Sequence, residues 1–465
     1  MTIGINDNIT DMKQNKNLSR RNFIGRAATV GAVGAIGAPA LITSCAPKNK
    51  TKDIEYPNCT LLDKAPDGPE LKAGLIGCGG RGTGAAINFL DAGPNLKIVA
   101  LADVLADKMA ECKDRLKKER NQDIPDENCF LGFDAYEKLL QVPLDVVINA
   151  TPPYFRPIHF EAAVQARKHC FLEKPVAVDP AGARSMMASA KKAEAMELSV
   201  VTGTQRRHQR DYIEVYKKAA GGLIGEITGG NVYWNQDKLW HVDAKTEWSE
   251  MEAMIRNWVN WTWLSGDHIV EQHVHNIDVG LWFFGKQPVK ALGFGSRQRR
   301  ITGDQYDNFS VDYVFDDGRH LHSMCRQING CGGGVYERFQ YAEGSANLNW
   351  NSARILDLAG AELYVYPYIT DAQGGKSLPV GPYNQEHIDL VTAIRTNKPI
   401  NEAENCAIST MAGIMGRLSA YTGKEITWDE VMNSDLNLGP KVYVMGPVEV
   451  SKEVAVPGEA YMAGS

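Results

Sequence analysis

The sequence predicts an α/β protein whose first folded domain is a doubly wound parallel sheet. Three observations predict it. Short apolar runs alternate with helical patterns between residues 71 and 204. A glycine-rich turn, GCGGRG at 77–82, stands directly between the first such run and the first helical pattern. The chain of 465 residues is also too long for one ordinary core, so a second domain must follow.

Composition narrows the classes of partner. With 44% hydrophobic and 23% charged residues the chain is globular. Its net charge of −6, with acids and bases interspersed, gives no footprint for nucleic acid and suits a small neutral molecule. Nine cysteines without paired CxxC spacing make neither a disulfide scaffold nor a zinc module. Residues 1–45 read as an address. Ser19-Arg20-Arg21-Asn22-Phe23-Ile24 leads into a Gly- and Ala-rich, weakly apolar run, and the pattern resembles a twin-arginine export signal. Ile42-Thr43-Ser44-Cys45 resembles a lipoprotein cleavage box, with Cys45 acylated. The expected destination is the periplasm, with the membrane reached only through a lipid anchor. Residues 46–70 then serve as a tether or arm.

The nucleotide-binding signals lie in order along 71–204. Leu71 to Ile76 reads as a buried strand and Thr83 to Leu90 as the helix after the loop. In this context Gly77 permits the tight turn, Gly79 lets the backbone approach a pyrophosphate, and Gly82 allows helix and strand to pack closely. Arg81 supplies either a phosphate contact or a solvated loop charge. The strand from Lys97 ends in Asp103, a carboxylate placed to accept from ribose hydroxyls and to repel a 2′-phosphate, so NAD is expected over NADP. Export in the folded state predicts that the NAD is tightly bound. The strand at 145–149 is followed by Thr151 and Pro152, then by a crossover helix at 162–169 and a fourth strand at 170–172 that ends in Glu173 and Lys174. All four belong at the cofactor edge, with Gln205 after the last strand.

Glu173-Lys174-Pro175 resembles the EKP signature of the glucose-fructose oxidoreductase, inositol dehydrogenase and rhizopine-catabolism (Gfo/Idh/MocA) family. VVTGTQRR at 200–207 resembles the last strand of that family's Rossmann domain, and SGDHIVEQHVHNID at 265–278 resembles its second catalytic motif. In that motif an Asp stands four residues before the catalytic His, and another follows it; the equivalents are Glu271, His275 and Asp278. Glu271 departs from the pattern by being longer. The resemblance implies a substrate and oligomerisation domain at 205–440, with an open, mainly antiparallel sheet, and a tail at 441–465. It also implies a homo-oligomer, a dimer or tetramer. The alternating stretches 310–315 and 320–328 around Asp316-Asp317-Gly318 agree with a hairpin, and helical segments at 384–395 and 403–421 are expected to pack back near the domain junction.

The chemistry implied is oxidation or reduction of a hydroxyl on a sugar or glycoside, with a glycoside 3-dehydrogenase as one form and an NAD-dependent glycoside hydrolase as the alternative. Lys174 is expected to polarise the hydroxyl and His275 to relay its proton. A continuous helix over 268–281 would set Glu271 one turn before His275 to orient it, and the same spacing would let His268, Glu271 and His275 hold a metal, though hydride transfer needs none. Six of the nine tryptophans (234, 240, 248, 258, 261 and 263) lie just before this motif and suit stacking on pyranose rings. Arg207, Trp263 and Asp278 are the substrate-contact candidates.

Overall fold

The computed structural model describes residues 52–459. The export signal and Cys45 lie outside the described residues. Among the described residues, no helix is long and apolar enough to cross a membrane.

The first sheet has six parallel strands: β1 (Leu71–Ile76), β2 (Leu96–Asp103), β3 (Cys129–Leu131), β4 (Val146–Asn149), β5 (His169–Leu172) and β6 (Val200–Thr202), in the order β3-β2-β1-β4-β5-β6. Its central strands are near-continuous apolar runs because helices cover both faces. On one face Ala73, Leu75, Val146, Ile148 and Phe171 pack under α1 (Gly80–Asp91) and α2 (Ala106–Arg120). On the other, Ile76, Ala100, Val147, Cys170 and Leu172 pack under α3 (Ala135–Leu139), α4 (Arg156–Gln165) and α5 (Pro180–Ala195). Two details differ from expectation. β3 is three half-exposed residues, too short and polar-flanked to show as a strand in sequence, so β5 is the fifth strand, not the fourth. The crossover helix spans 156–165 rather than 162–169, because Pro157 fits its first turn and Arg167, at φ 57, has left the helix.

After α6 (Arg210–Ala220), β7 (Ile227–Gln236) begins the second sheet. Between β7 and the next strand lie α7 (Glu250–Arg256), α8 (Thr262–Ser265), α9 (His268–Glu271) and α10 (Val274–Phe284). Then come β8 (Lys290–Ser296), β9 (Asn308–Val314), β10 (His320–Gln327), β11 (Gly334–Tyr341), β12 (Gly344–Asn349), β13 (Ser352–Asp357) and β14 (Glu362–Val365). A separate small pair, β15 (Ile369–Thr370) and β16 (Lys376–Ser377), precedes α11 (Pro382–Thr396), α12 (Ala403–Thr422), β17 (Ile426–Thr427) and α13 (Trp428–Met432). The nine-stranded order is β14-β13-β12-β11-β7-β10-β9-β8-β17; its pairings are antiparallel except β7 with β10. β9 and β10 alternate, burying Phe309, Val311, Tyr313, Leu321 and Cys325 on one face, as a sheet covered on one side requires.

The late helices complete the first domain. α11 adds Ile388, Leu390 and Val391 to one face of the first sheet, and α12 adds Ala403, Cys406 and Ala407 to the other. α12 is buried along almost its whole length and also packs on α5, α10 and β8. It fixes the second sheet against the ends of β5 and β6, where the chemistry-bearing residues gather.

Candidate active site

The glycine loop has the shape its sequence requires. Gly77 sits at φ +93, and a Cβ there would stand 2.8 Å from the backbone of Ala150 and Thr151. A Cβ on Gly82 would lie 1.8 Å from the Gly77 carbonyl oxygen, so only glycine lets α1 start this close to β1. A Cβ on Gly79 or Gly80 would meet nothing within 4 Å. That open space belongs to a cavity of about 720 Å³ lined by Gly77, Gly79, Asp103, Thr151 and Pro152. The Asp103 carboxylate accepts from the N–H of Cys78 (2.5 Å) and Leu105 (2.8 Å). Burial raises its pKa, while those two N–H groups oppose the rise. Thr151 Oγ1 donates to Asn149 Oδ1 at 2.8 Å, and the adjacent His159 is held to about 3, by burial first and then by Arg156. A helix N-terminus facing a cavity that ends at a carboxylate suits a dinucleotide, phosphates at the loop and ribose at Asp103.

The remaining cofactor-edge candidates lie beside this cavity, outside its lining. Arg81 is engaged by protein groups: it pairs with Glu173, stands 3.7 Å from Glu386 and lies over the Tyr383 ring. Glu173 is therefore committed to Arg81. Gln205 is buried, and its Oε1 has no partner.

Lys174 projects from the end of β5 into the domain junction. Its Nζ donates to the Glu271 carbonyl oxygen at 2.7 Å and to Glu271 Oε1 at 3.2 Å. An ammonium has three donors, so this leaves one to direct at a substrate oxygen. His275 is buried and stacked on Trp234, with ring centroids 5.4 Å apart and 18° between planes, and its Nδ1 has no partner. Burial, then the charges of Lys174, Arg206 and Arg81, hold its pKa well below the ordinary value, so the ring is neutral. Glu271 Oε2 is likewise buried and unpartnered.

Several expectations need correction. The segment 268–281 is not one helix: α9 ends at Glu271 and α10 starts at Val274, with His273 at the break, where its Nε2 meets Ser323 Oγ at 2.7 Å. Glu271 consequently orients Lys174, not His275. His268 packs against Phe309 and joins no ligand set with Glu271 and His275. Arg207 and Asp278 hold each other through two hydrogen bonds of 2.8 and 2.9 Å, and both are buried, so neither is free for substrate. Trp263 is core, 2% exposed and edge-on to Tyr154 and Phe155. Of the six tryptophans, Trp234 adjoins His275, while Trp240, Trp248 and Trp258 line the cavity at the glycine loop.

Sequence reasoning also missed two buried clusters. Glu386 has no hydrogen-bond partner on either oxygen, and burial raises its pKa well above normal, with Arg81 opposing. Cys59, His208 and Asp389 come together with the spacing of a metal site. His208 Nδ1 is 2.8 Å from Asp389 and Nε2 3.1 Å from Glu402, however; burial disfavours its charge, but the carboxylates raise its pKa well above normal. This is an imidazolium clamp, and with Thr60 bonded to Asp389 it ties the arm to α11. Residues this distant in sequence leave no local signal.

Residues 71–202 match the family model GFO_IDH_MocA, described as an oxidoreductase family with an NAD-binding Rossmann fold. The chain is 29% identical over 264 residues to a glycosyl hydrolase family 109 protein of Streptomyces coelicolor, covering 52% of this chain and 54% of that protein. It is 28% identical over 226 residues to the myo-inositol 2-dehydrogenase of Thermotoga maritima, covering 49% and 58%. The matches thus span little more than half the length of these relatives. Its fold resembles that of the aldose-aldose oxidoreductase from Caulobacter crescentus complexed with glycerol, with a TM-score of 0.59, 18% identity, and coverage of 77% of this chain and 99% of that one. Residues 71–202 are thus similar to the NAD-binding Rossmann fold of the Gfo/Idh/MocA oxidoreductase family.

Proposed function

We propose that this protein is an NAD-dependent oxidoreductase acting on a hydroxyl of a sugar or glycoside. The observation that carries the reading is Lys174: two of its donors are fixed by Glu271 and the third is spare, beside a neutral His275 at the cofactor edge. Gly77, Gly79, Asp103, Thr151 and Pro152 would hold the dinucleotide, which supplies a hydride acceptor when bound. Asp103 favours NAD over NADP.

In the oxidising direction the substrate C–H bond breaks with its electron pair while the O–H bond gives up its proton, and a carbonyl forms. Lys174 hydrogen-bonds the hydroxyl oxygen, strengthening its grip as negative charge develops there. His275, neutral with an unpartnered Nδ1, takes the proton. Glu271 sets the Lys174 geometry. A glycoside oxidised at its 3-hydroxyl to the 3-keto product is the form we favour.

The family 109 relative favours a second reading, in which transient oxidation is followed by elimination of the aglycone, water addition and reduction. Mass spectrometry of products from a glycoside panel separates the two. A product lighter by two hydrogens supports net oxidation, a released sugar supports the hydrolase, and unchanged glycosides throughout the panel would remove both. We further propose that Arg20 and Arg21 direct export, that Cys45 anchors the mature chain in the periplasm, and that the exposed sheet face around Phe294 joins copies into a dimer or tetramer.

A further inference from the structure

We infer that the adenosine end of the bound dinucleotide is gripped by an aromatic clamp from outside the Rossmann domain, built from Trp240, Trp248, Trp258 and Tyr443, so that the nucleotide stays bound through turnover. The inference rests on the NAD reading and adds to it a site on the second domain and the C-terminal segment.

The four rings line the same cavity as Gly77, Gly79 and Asp103. Trp248 is tied to the Asp103 side through Arg256, which lies over its ring and bonds to Asp107, and Tyr443 stands 6.2 Å from Phe133 after β3, the side where a dinucleotide phosphate-bound at the loop places its adenosine. Trp240 and Trp258 stand edge to face, 6.3 Å apart at 68°. Trp240 nevertheless remains 46% exposed, which core packing does not explain and which stacking on a flat base at the cavity mouth would.

The segment carrying Trp240 and Trp248 has no regular secondary structure from 237 to 249, yet specific bonds fasten it. Val242 exchanges two hydrogen bonds with the Asn257 side chain, at 2.7 and 2.8 Å. Arg256 reaches across to Asp107 on α2, two bonds of 2.9 Å, and its guanidinium lies over Trp248 at 4.7 Å. The C-terminal segment closes the other side: Tyr443 OH is 3.0 Å from Tyr154 OH, and the Met251 N–H donates to the Gly446 carbonyl at 3.0 Å. Release of the nucleotide would require the Arg256–Asp107 bridge or the 443–446 contact to open. The cluster first read as a sugar platform is thus divided, with Trp234 left near His275 and three indoles given to the base.

The test is an exchange measurement on the full protein. Protein loaded with radiolabelled NAD is freed of unbound label and chased with excess unlabelled NAD. The wild type should keep its label over many turnovers. Trp240→Ala and Arg256→Ala should each release it roughly 10-fold faster, the worth of about one aromatic contact. Trp350→Ala, which removes an exposed indole from the turn between β12 and β13, should leave release unchanged. The inference is overturned if wild-type label exchanges as fast as in the variants, or if the variants raise the KM for glycoside without altering release, which would return these rings to substrate. If the wild type binds no NAD at any concentration, the cofactor reading fails and the clamp with it.

Discussion

Lys174 and His275 are about a hundred residues apart in sequence, and their nearness at the domain junction, where the Lys174 charge bears on the His275 ring, is the feature on which the proposed chemistry turns. Lys174→Ala and His275→Ala should each slow hydride transfer by about 100-fold to 10,000-fold with NAD still bound, since the cavity is lined by neither. Single-turnover reduction of bound NAD measures this. The double variant should be little worse than the poorer single one if the two act as one unit. Glu271→Gln keeps a side-chain oxygen to accept from Lys174 but loses the charge, so it should fall between wild type and Lys174→Ala. A second residue separates packing from recognition. Trp263→Ala should lower stability by about 3–5 kcal/mol, as large-to-small core changes do, and leave KM unchanged. A denaturant titration beside a KM measurement checks it.

At the scale of elements, the glycine loop gives paired substitutions with opposite signatures. Gly82→Ala places a methyl against the Gly77 carbonyl, a backbone atom no rotamer change can relieve, and should cost about 1–3 kcal/mol of stability as overpacking does. Gly79→Ala meets no protein atom, so it should leave the melting temperature alone and weaken NAD binding by intruding on the open space. Thermal melts with NAD titrations distinguish them. The loop, β1, β2, the β9–β10 hairpin and helices α11 and α12 were all legible in sequence, because each carries its period or its turn chemistry locally. The break between α9 and α10 was not. EQHVHNID reads as uninterrupted helix, and what interrupts it is His273 meeting Ser323 on a strand far along the chain. For the same reason Glu271 was assigned to its neighbour in sequence, His275, and not to its neighbour in space, Lys174. Arg207 and Asp278 looked free because their partners were each other. Residue type marked the candidates; only tertiary pairing shows which remain unspent.

At the scale of the whole molecule, buried histidines and buried carboxylates pull the response to acid in opposite directions. Burial first, then nearby arginines, hold His159 and His273 at about 3, and burial holds His268, His275 and His387 well below normal. In the unfolded chain each protonates near about 6.5, so the unfolded state takes up more protons below that pH. Their contribution is complete above about pH 6.5 and is lost as the pH falls towards 3, at up to about 1.4 kcal/mol per pH unit for each histidine. His208 runs the other way, because its carboxylate partners raise its pKa against burial; its contribution is full below about pH 6.5 and is lost as pH rises through the raised value. Asp304, raised to about 7 by burial, and Glu386, raised well above normal, oppose the histidines because the folded state binds their protons first. His159→Gln should therefore lose less of its urea midpoint than the wild type between pH 7 and pH 5, as titrations at the two pH values would register. The central claim is that this molecule moves a hydride between a sugar hydroxyl and NAD under the hand of Lys174. Its most direct test is anaerobic mixing of the NAD-loaded protein with a panel of glycosides while the absorbance of reduced nicotinamide is followed. The account predicts reduction within one turnover by at least one glycoside, slowed at least about 100-fold in Lys174→Ala. Stoichiometric NAD on the protein with no reduction by any member of the panel, or reduction that Lys174→Ala leaves at the wild-type rate, would contradict it.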